Sequence, residues 1–205
     1  MASTITINGN SLDLSTRQML AFSAAANTRY IIIRSREALT DPEKGKLISS
    51  GVDITSYVDT NTYLCIYDSD NLEELRTRNK FLDHVDIYHR VFKIHANLKR
   101  RITTNSEENS PEDAPGALSA GIPFKDGTIP IVIGLHAQPK PTTEEIVRDL
   151  ITGNLIKYKD TATYPGRIDT VISPQNIWAL EAIDSIQSVT VAINKISQAE
   201  ASGLI

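Results

Sequence analysis

The chain has 205 residues, 21 basic and 25 acidic, and a formal charge of −4. It is long enough for one large or two small domains with real cores, and it offers no whole-chain electrostatic case for binding nucleic acid. The single cysteine, Cys65, excludes an internal disulfide and cannot build a zinc site alone; within the apolar run from Tyr63 to Tyr67 it reads as a buried thiol. The opening residues lack the charged and apolar regions of a secretory signal, and no stretch reaches the ~18 apolar residues of a membrane span. As given, the chain is expected to be cytoplasmic, or secreted only as a fragment of a longer precursor.

In chain order, residues 5–14 alternate apolar and polar side chains about Asn8-Gly9, a pair that accepts positive φ in a tight turn. A short hairpin is predicted there, within an N-terminal arm of residues 1–27. "RYIIIRS" is a β-branched strand. "TDPEKGKLISSG" is a helix with Thr40 as N-cap, Pro42 early and Gly51 as its stop. "DITSYV" and "TYLCIYD" form two strands joined by a turn at Asp59-Thr-Asn61, and "NLEELRTRNKFLD" is a helix. "VDIYHRVFKIH", Val85 to His95, is a closing strand. This β-α-β-β-α-β order over residues 28–98 predicts a split βαβ, ferredoxin-like domain, with two helices on one face of an antiparallel sheet.

Residues 99–127 are rich in Ser, Asn, Glu, Pro and Gly and read as a linker; the triplet Lys99-Arg100-Arg101 at its start reads as a solvated charge cluster. Then the order returns. "TIPIVIGLH" is a strand, and "PTTEEIVRDLITGN" a helix capped by Thr142 or Thr143 and stopped by Gly153. "LIKYKDTA" and "RIDTVIS" are strands, "SPQNIWALEAIDSIQ" a helix capped by Ser173, and "SVTVAINKIS" the closing strand. Gly51 matches Gly153, and "FLDHVDIYHRVFKI" matches "AIDSIQSVTVAINKI". The predicted fold class is therefore α+β, two tandem ferredoxin-like domains at residues 28–98 and 128–200, with a C-terminal tail at 201–205. The offset of about 100 residues marks duplication of a whole domain rather than a solenoid repeat.

Chemistry-bearing residues are sparse. The four histidines are His84, His89, His95 and His136. In a continuous strand His89 and His95 lie roughly 20 Å apart at ~3.3 Å per residue, too far for one metal, so no metal site is predicted. There is no Gly-x-Ser-x-Gly elbow, no papain or caspase cysteine context, and no Walker or Rossmann glycine pattern. Glu73-Glu74 and Glu144-Glu145 each fall in a first helical turn, where negative charge complements the helix dipole. No segment of the kind used by RNA-recognition domains is present, and Tyr57, Tyr63 and Tyr67 read as sheet-packing residues. No catalytic motif and no cofactor are predicted.

The segments "GVDITSYVDTNTYLCIYD" and "VDIYHRVFKIHANLK" resemble the prodomain, or peptidase-inhibitor I9-like domain, of subtilisin-like (S8) serine proteases. The positions that carry the likeness are Gly51-Val52, Tyr57-Val58, Asn61, Tyr63-Leu64, Leu72, Leu75, Tyr88 and Lys99. The second copy resembles the further I9-like module placed before the catalytic domain in such proteases. The Asp-Ser/Thr-Gly, His-Gly-Thr and Gly-Thr-Ser-Met-Ala motifs of the protease itself are absent.

The resemblance implies binding rather than a reaction: inhibition or assisted folding of a subtilisin-like serine protease, in cis or in trans. The outer sheet face would pack on the protease, with Asp160 and Asp169 capping its helices. Gln198, Ala199, Glu200, Ala201, Ser202, Gly203, Leu204 and Ile205 would lie in the cleft as an extended tail. The competing expectation is a repurposed double ferredoxin-like enzyme acting on a small molecule, with a pocket between the copies or at a dimer interface lined by Tyr88, His89, Arg90, His95 and His136.

Overall fold

A computed structural model describes residues 4–13, 28–69, 71–106 and 127–192. The chain is an α+β protein with antiparallel sheets and divides into two compact units, Met1–Ala96 and Asn97–Ile205. Among the described residues no helix is long and apolar enough to cross a membrane.

The first unit opens with the hairpin β1 (Thr4–Ile7) and β2 (Asn10–Asp13). Asn8 and Gly9 between them both take positive φ, 52° and 71°, as a two-residue turn of right-handed twist requires. The larger sheet is built from β3 (Tyr30–Ser35), β4 (Val52–Asp59), β5 (Thr62–Tyr67) and β6 (Leu82–Ile87), in the order β4-β5-β3-β6 with every neighbouring pair antiparallel. Helix α1 (Asp41–Ser49) joins β3 to β4, and α2 (Leu72–Arg78) joins β5 to β6. A capping box between Thr40 and Glu43 starts α1, and Gly51 at φ 84° lets the chain leave it.

That sheet is covered on both faces. Ile31, Ile33 and Cys65 pack on one side with Leu39, Leu47 of α1 and Leu75 of α2. On the other side Tyr30, Ile32, Leu64 and Ile66 meet Ile5 and Ile7 of the hairpin, together with Tyr88 and Phe92. Ile5 and Ile7 are almost fully buried, and each contributes roughly 1.5–3 kcal/mol through that burial. Polar links fix the hairpin in place. Thr6 N donates to Asp59 Oδ2 at 2.7 Å, Asn8 Nδ2 to Phe92 O at 2.8 Å, and Asn10 Nδ2 to Ile94 O at 2.9 Å.

The closing strand of this unit is shorter than the sequence reading. β6 stops at Ile87, a 3-10 turn follows at Arg90–Phe92, and α3 (Ala96–Ser106) begins directly afterwards. The chain bends because Tyr88, Phe92 and Ile94 turn back to bury themselves. The extended spacing between His89 and His95 therefore does not exist. The helix predicted over residues 71–83 also shortens to α2, where Asn79 Nδ2 donates to Leu75 O and ends it. The stretch read as linker starts as α3, in which Arg100 donates to Asn97 Oδ1.

The second unit contains β7 (Ile129–Leu135), α4 (Thr143–Thr152), β8 (Ala162–Tyr164), β9 (Arg167–Ile172) and β10 (Ile186–Val191), with sheet order β10-β7-β9-β8, all antiparallel. Strand order matches that of the larger sheet in the first unit, with a 3-10 helix where that unit has α2. Thr142, not Thr143, caps α4, again in a capping box with Glu145. After α4 it is Asn154 at φ 55°, one residue beyond Gly153, that takes the place of Gly51. Lys99 of α3 pairs with Glu181 at 3.3 Å.

Two predicted elements of this unit change. The strand read over "LIKYKDTA" does not form there: β8 meets that stretch only at Ala162, and the exposed Tyr158–Asp160 form a 3-10 turn with nothing to bury in alternation. The helix after Ser173 is 3-10 throughout Pro174–Ala182; its apolar residues Ile177, Leu180 and Ile183 recur every third residue, the period of that helix.

Candidate protein-binding face

β7 alternates strictly. Ile129, Ile131, Ile133 and Leu135 are buried, while Pro130, Val132 and Gly134 are half-exposed. The buried set belongs to the core side, where α4 packs on β9 and contributes the buried Ile146, Val147 and Leu150. The other set defines an outer face on which Pro130, Val132 and Gly134 are partly exposed. Directly opposed residues of antiparallel strands share a face, so the register lays out two rows across this sheet. One row runs Tyr164, Arg167, Gly134, Ser188; the next runs Ala162, Asp169, Val132, Thr190.

Arg167 and Asp169 stand two apart on β9 and point the same way. Arg167 Nε donates to Asp169 Oδ1 at 2.6 Å and Nη2 to Oδ2 at 2.7 Å, the parallel two-bond geometry of a guanidinium on a carboxylate. Donating these two bonds to Asp169 pushes the guanidinium further toward its charged form. Its Cζ also lies 5.8 Å from the centroid of the half-exposed Tyr164 ring. A Cβ at Gly134 would sit 2.5 Å from Ser188 Oγ, so the glycine leaves room for that hydroxyl on the central strand. The face is mixed in polarity, and its paired Arg167 and Asp169 leave it locally neutral.

The residues anticipated from the sequence are dispersed. Asp169 lies on this face, its carboxylate engaged by Arg167. Asp160 is exposed in the 3-10 turn between α4 and β8. The tail from Gln198 to Ile205 lies outside the described residues.

Of the residues expected to line a pocket, Tyr88, His89, Arg90 and His95 belong to the first unit and His136 to the second. Tyr88 is buried, accepts a bond from Asn8 Nδ2 at 3.3 Å, and burial pushes its phenol well above the ordinary range. His89 is also buried, with Nε2 3.0 Å from Oδ2 of the buried Asp86 and its ring edge-on to Phe92. Arg90 is exposed, and His95 adjoins the hairpin turn at Gly9. His136 is buried just past the end of β7, its backbone N–H donating to Ser185 O. Of these, Tyr88 and His95 adjoin the hairpin.

Sequence reasoning missed Val132, Tyr164, Arg167 and Thr190 as a set. The signal was the alternation of Arg167 and Asp169 with Ile168 and Ile172. It also missed the grouping of His84 and His89 about Asp86, 3.5 and 3.0 Å from Oδ2, which depends on the bend after Ile87.

A family model described as a domain of unknown function, DUF8729, matches residues 2–88. The match takes in the hairpin with β3 to β6 and ends at Tyr88, so hairpin and sheet fall in one module. No curated protein and no solved structure matches the chain. Residues 2–88 are thus similar to DUF8729.

Proposed function

We propose that the chain is a binding protein made of two ferredoxin-like copies, and that it engages a subtilisin-like serine protease through the outer sheet face of the second unit and the segment that follows β10. The observation that carries this reading is the contrast between the outer faces. In the first unit the face is filled by Ile5 and Ile7, with Ile32 and Leu64 fully buried beneath them; in the second, Tyr164 and Arg167 are exposed and Val132, Asp169, Ser188 and Thr190 partly exposed. The same antiparallel strand order in the two four-stranded sheets supports the tandem reading. A preorganised sheet lowers the entropic cost of binding, and the fixed Arg167–Asp169 pair offers both a donor and an acceptor to a partner. The enzyme reading receives no such support, because its candidate residues are divided between units and two of them, Tyr88 and His95, adjoin the hairpin.

The test is inhibition. Purified chain should slow a subtilisin-like protease at micromolar concentration, and removal of residues 198–205 should weaken the inhibition while leaving a complex detectable by sedimentation. Absence of both inhibition and complex at that concentration would sink the proposal.

A further inference from the structure

The hairpin does not extend the first sheet. β1 and β2 pair only with each other, and they lie on the face of Tyr30, Ile32, Leu64 and Ile66 through Ile5 and Ile7. Lifting it away would break no rung of the β4-β5-β3-β6 ladder. The helix-side core around Ile31, Ile33, Leu47, Cys65 and Leu75 would also remain complete.

Neither surface is suited to water once separated. A lone two-stranded hairpin is marginal in water, and the uncovered sheet would present a continuous apolar patch. The fit between them is specific as well as apolar. Asn8 O accepts from Ala96 N at 3.0 Å, Asn10 reaches Ile94 O, and Asp59 accepts from Thr6 N. A Cβ on Gly9 would lie only 3.2 Å from that of Ala96.

From this we infer that the outer face of the first unit is a receptor for one ligand, the residue 4–13 hairpin, and that it accepts this hairpin from a second copy of the chain as well as from its own. Exchange requires no new contact, because every interaction within one chain has an identical counterpart between two. The resulting dimer would carry two second units, and so two copies of the outer face described above. The inference does not depend on the identity of the partner at that face.

Complementation tests it. The I5D/I7D double variant has a receptor face and a spoiled hairpin; the I32D variant has a sound hairpin and a spoiled receptor. Mixed at roughly 100 µM, where a Kd of tens of micromolar suffices for assembly, the two should form a heterodimer by light scattering, while each alone stays monomeric. A synthetic peptide of residues 2–14 should bind the I5D/I7D chain and compete with I32D for it. No heterodimer and no peptide binding would overturn the inference. So would immediate labelling of Cys65 in native I5D/I7D, because the sheet would then be unable to stand without its cover.

Discussion

The two four-stranded sheets of this chain share strand order and antiparallel pairing, yet they are finished differently. β3 is buried at five of its six positions and β5 likewise, whereas β7 alternates between buried and half-exposed. The cause is the hairpin, which supplies a third layer to the first unit; in the second, the outer positions of β7 stay partly exposed. A strand covered on both faces becomes apolar at successive residues, as in Ile31-Ile32-Ile33, whereas one covered on a single face keeps its polar alternation. The same topology thus gives a closed module and an open one.

The chain supplies a separate reporter for each unit. Cys65, its single cysteine, is fully buried in β5 of the first unit, where burial holds the thiol far above its ordinary pKa and thiol reagents should reach it only on opening. Trp178, its single tryptophan, lies half-exposed in the second. Urea unfolding followed by Cys65 labelling and by Trp178 fluorescence therefore follows the units separately.

The sharpest way to break the comparison is to place a carboxylate at the central outer position of each sheet. Ile32→Asp should cost about 4 kcal/mol or more in the Cys65 signal, because the charge would be buried beneath the hairpin without a partner. Val132→Asp should cost about 1 kcal/mol or less in the Trp178 signal, the scale of a solvated strand substitution. Equal losses would mean that the second face is covered and that the contrast is false.

Truncation of the cover is the next test. Ile5→Ala or Ile7→Ala should each destabilise the first unit by about 2–3 kcal/mol and leave the Trp178 midpoint unmoved; a shift in both signals would show that the two units unfold together. Smaller still, Gly9→Ala should cost roughly 1–2 kcal/mol through its positive φ and through crowding against Ala96.

The smallest effect concerns what the units have in common. Glu43 and Glu145 each close a capping box, and each carboxyl is held below its ordinary range chiefly by the hydrogen bond from the backbone N–H of its N-cap threonine. A lowered folded-state pKa means that this contribution is present above the ordinary carboxylate range and is lost as pH falls through the lowered value. Glu43→Gln and Glu145→Gln should flatten the acid limb of the Cys65 and Trp178 signals respectively, and to similar degrees. A marked inequality would show that the two helix starts differ after all.

Much of this fold was legible because local signals agreed with tertiary packing. Asn8-Gly9 specified its turn, Thr40 and Thr142 their helices, and the β-branched runs their strands. The segment from Tyr88 to His95 was not legible as a bend. Its residues have strand propensity, and the burial that folds them back depends on a hairpin eighty residues earlier. The candidate face was only partly legible. Asp169 was anticipated, but β7 presents Pro130 and Val132 outward, so apolar residues alternate with apolar residues and the sequence does not reveal which set faces water.

Titration of the parent chain and of its Val132→Asp variant with a subtilisin-like protease tests the central claim most directly. The account predicts saturable complex formation with the parent and loss of that complex in the variant, with the Trp178 unfolding transition preserved. A parent that forms no complex at micromolar concentration, or a complex that Val132→Asp leaves intact, would contradict it.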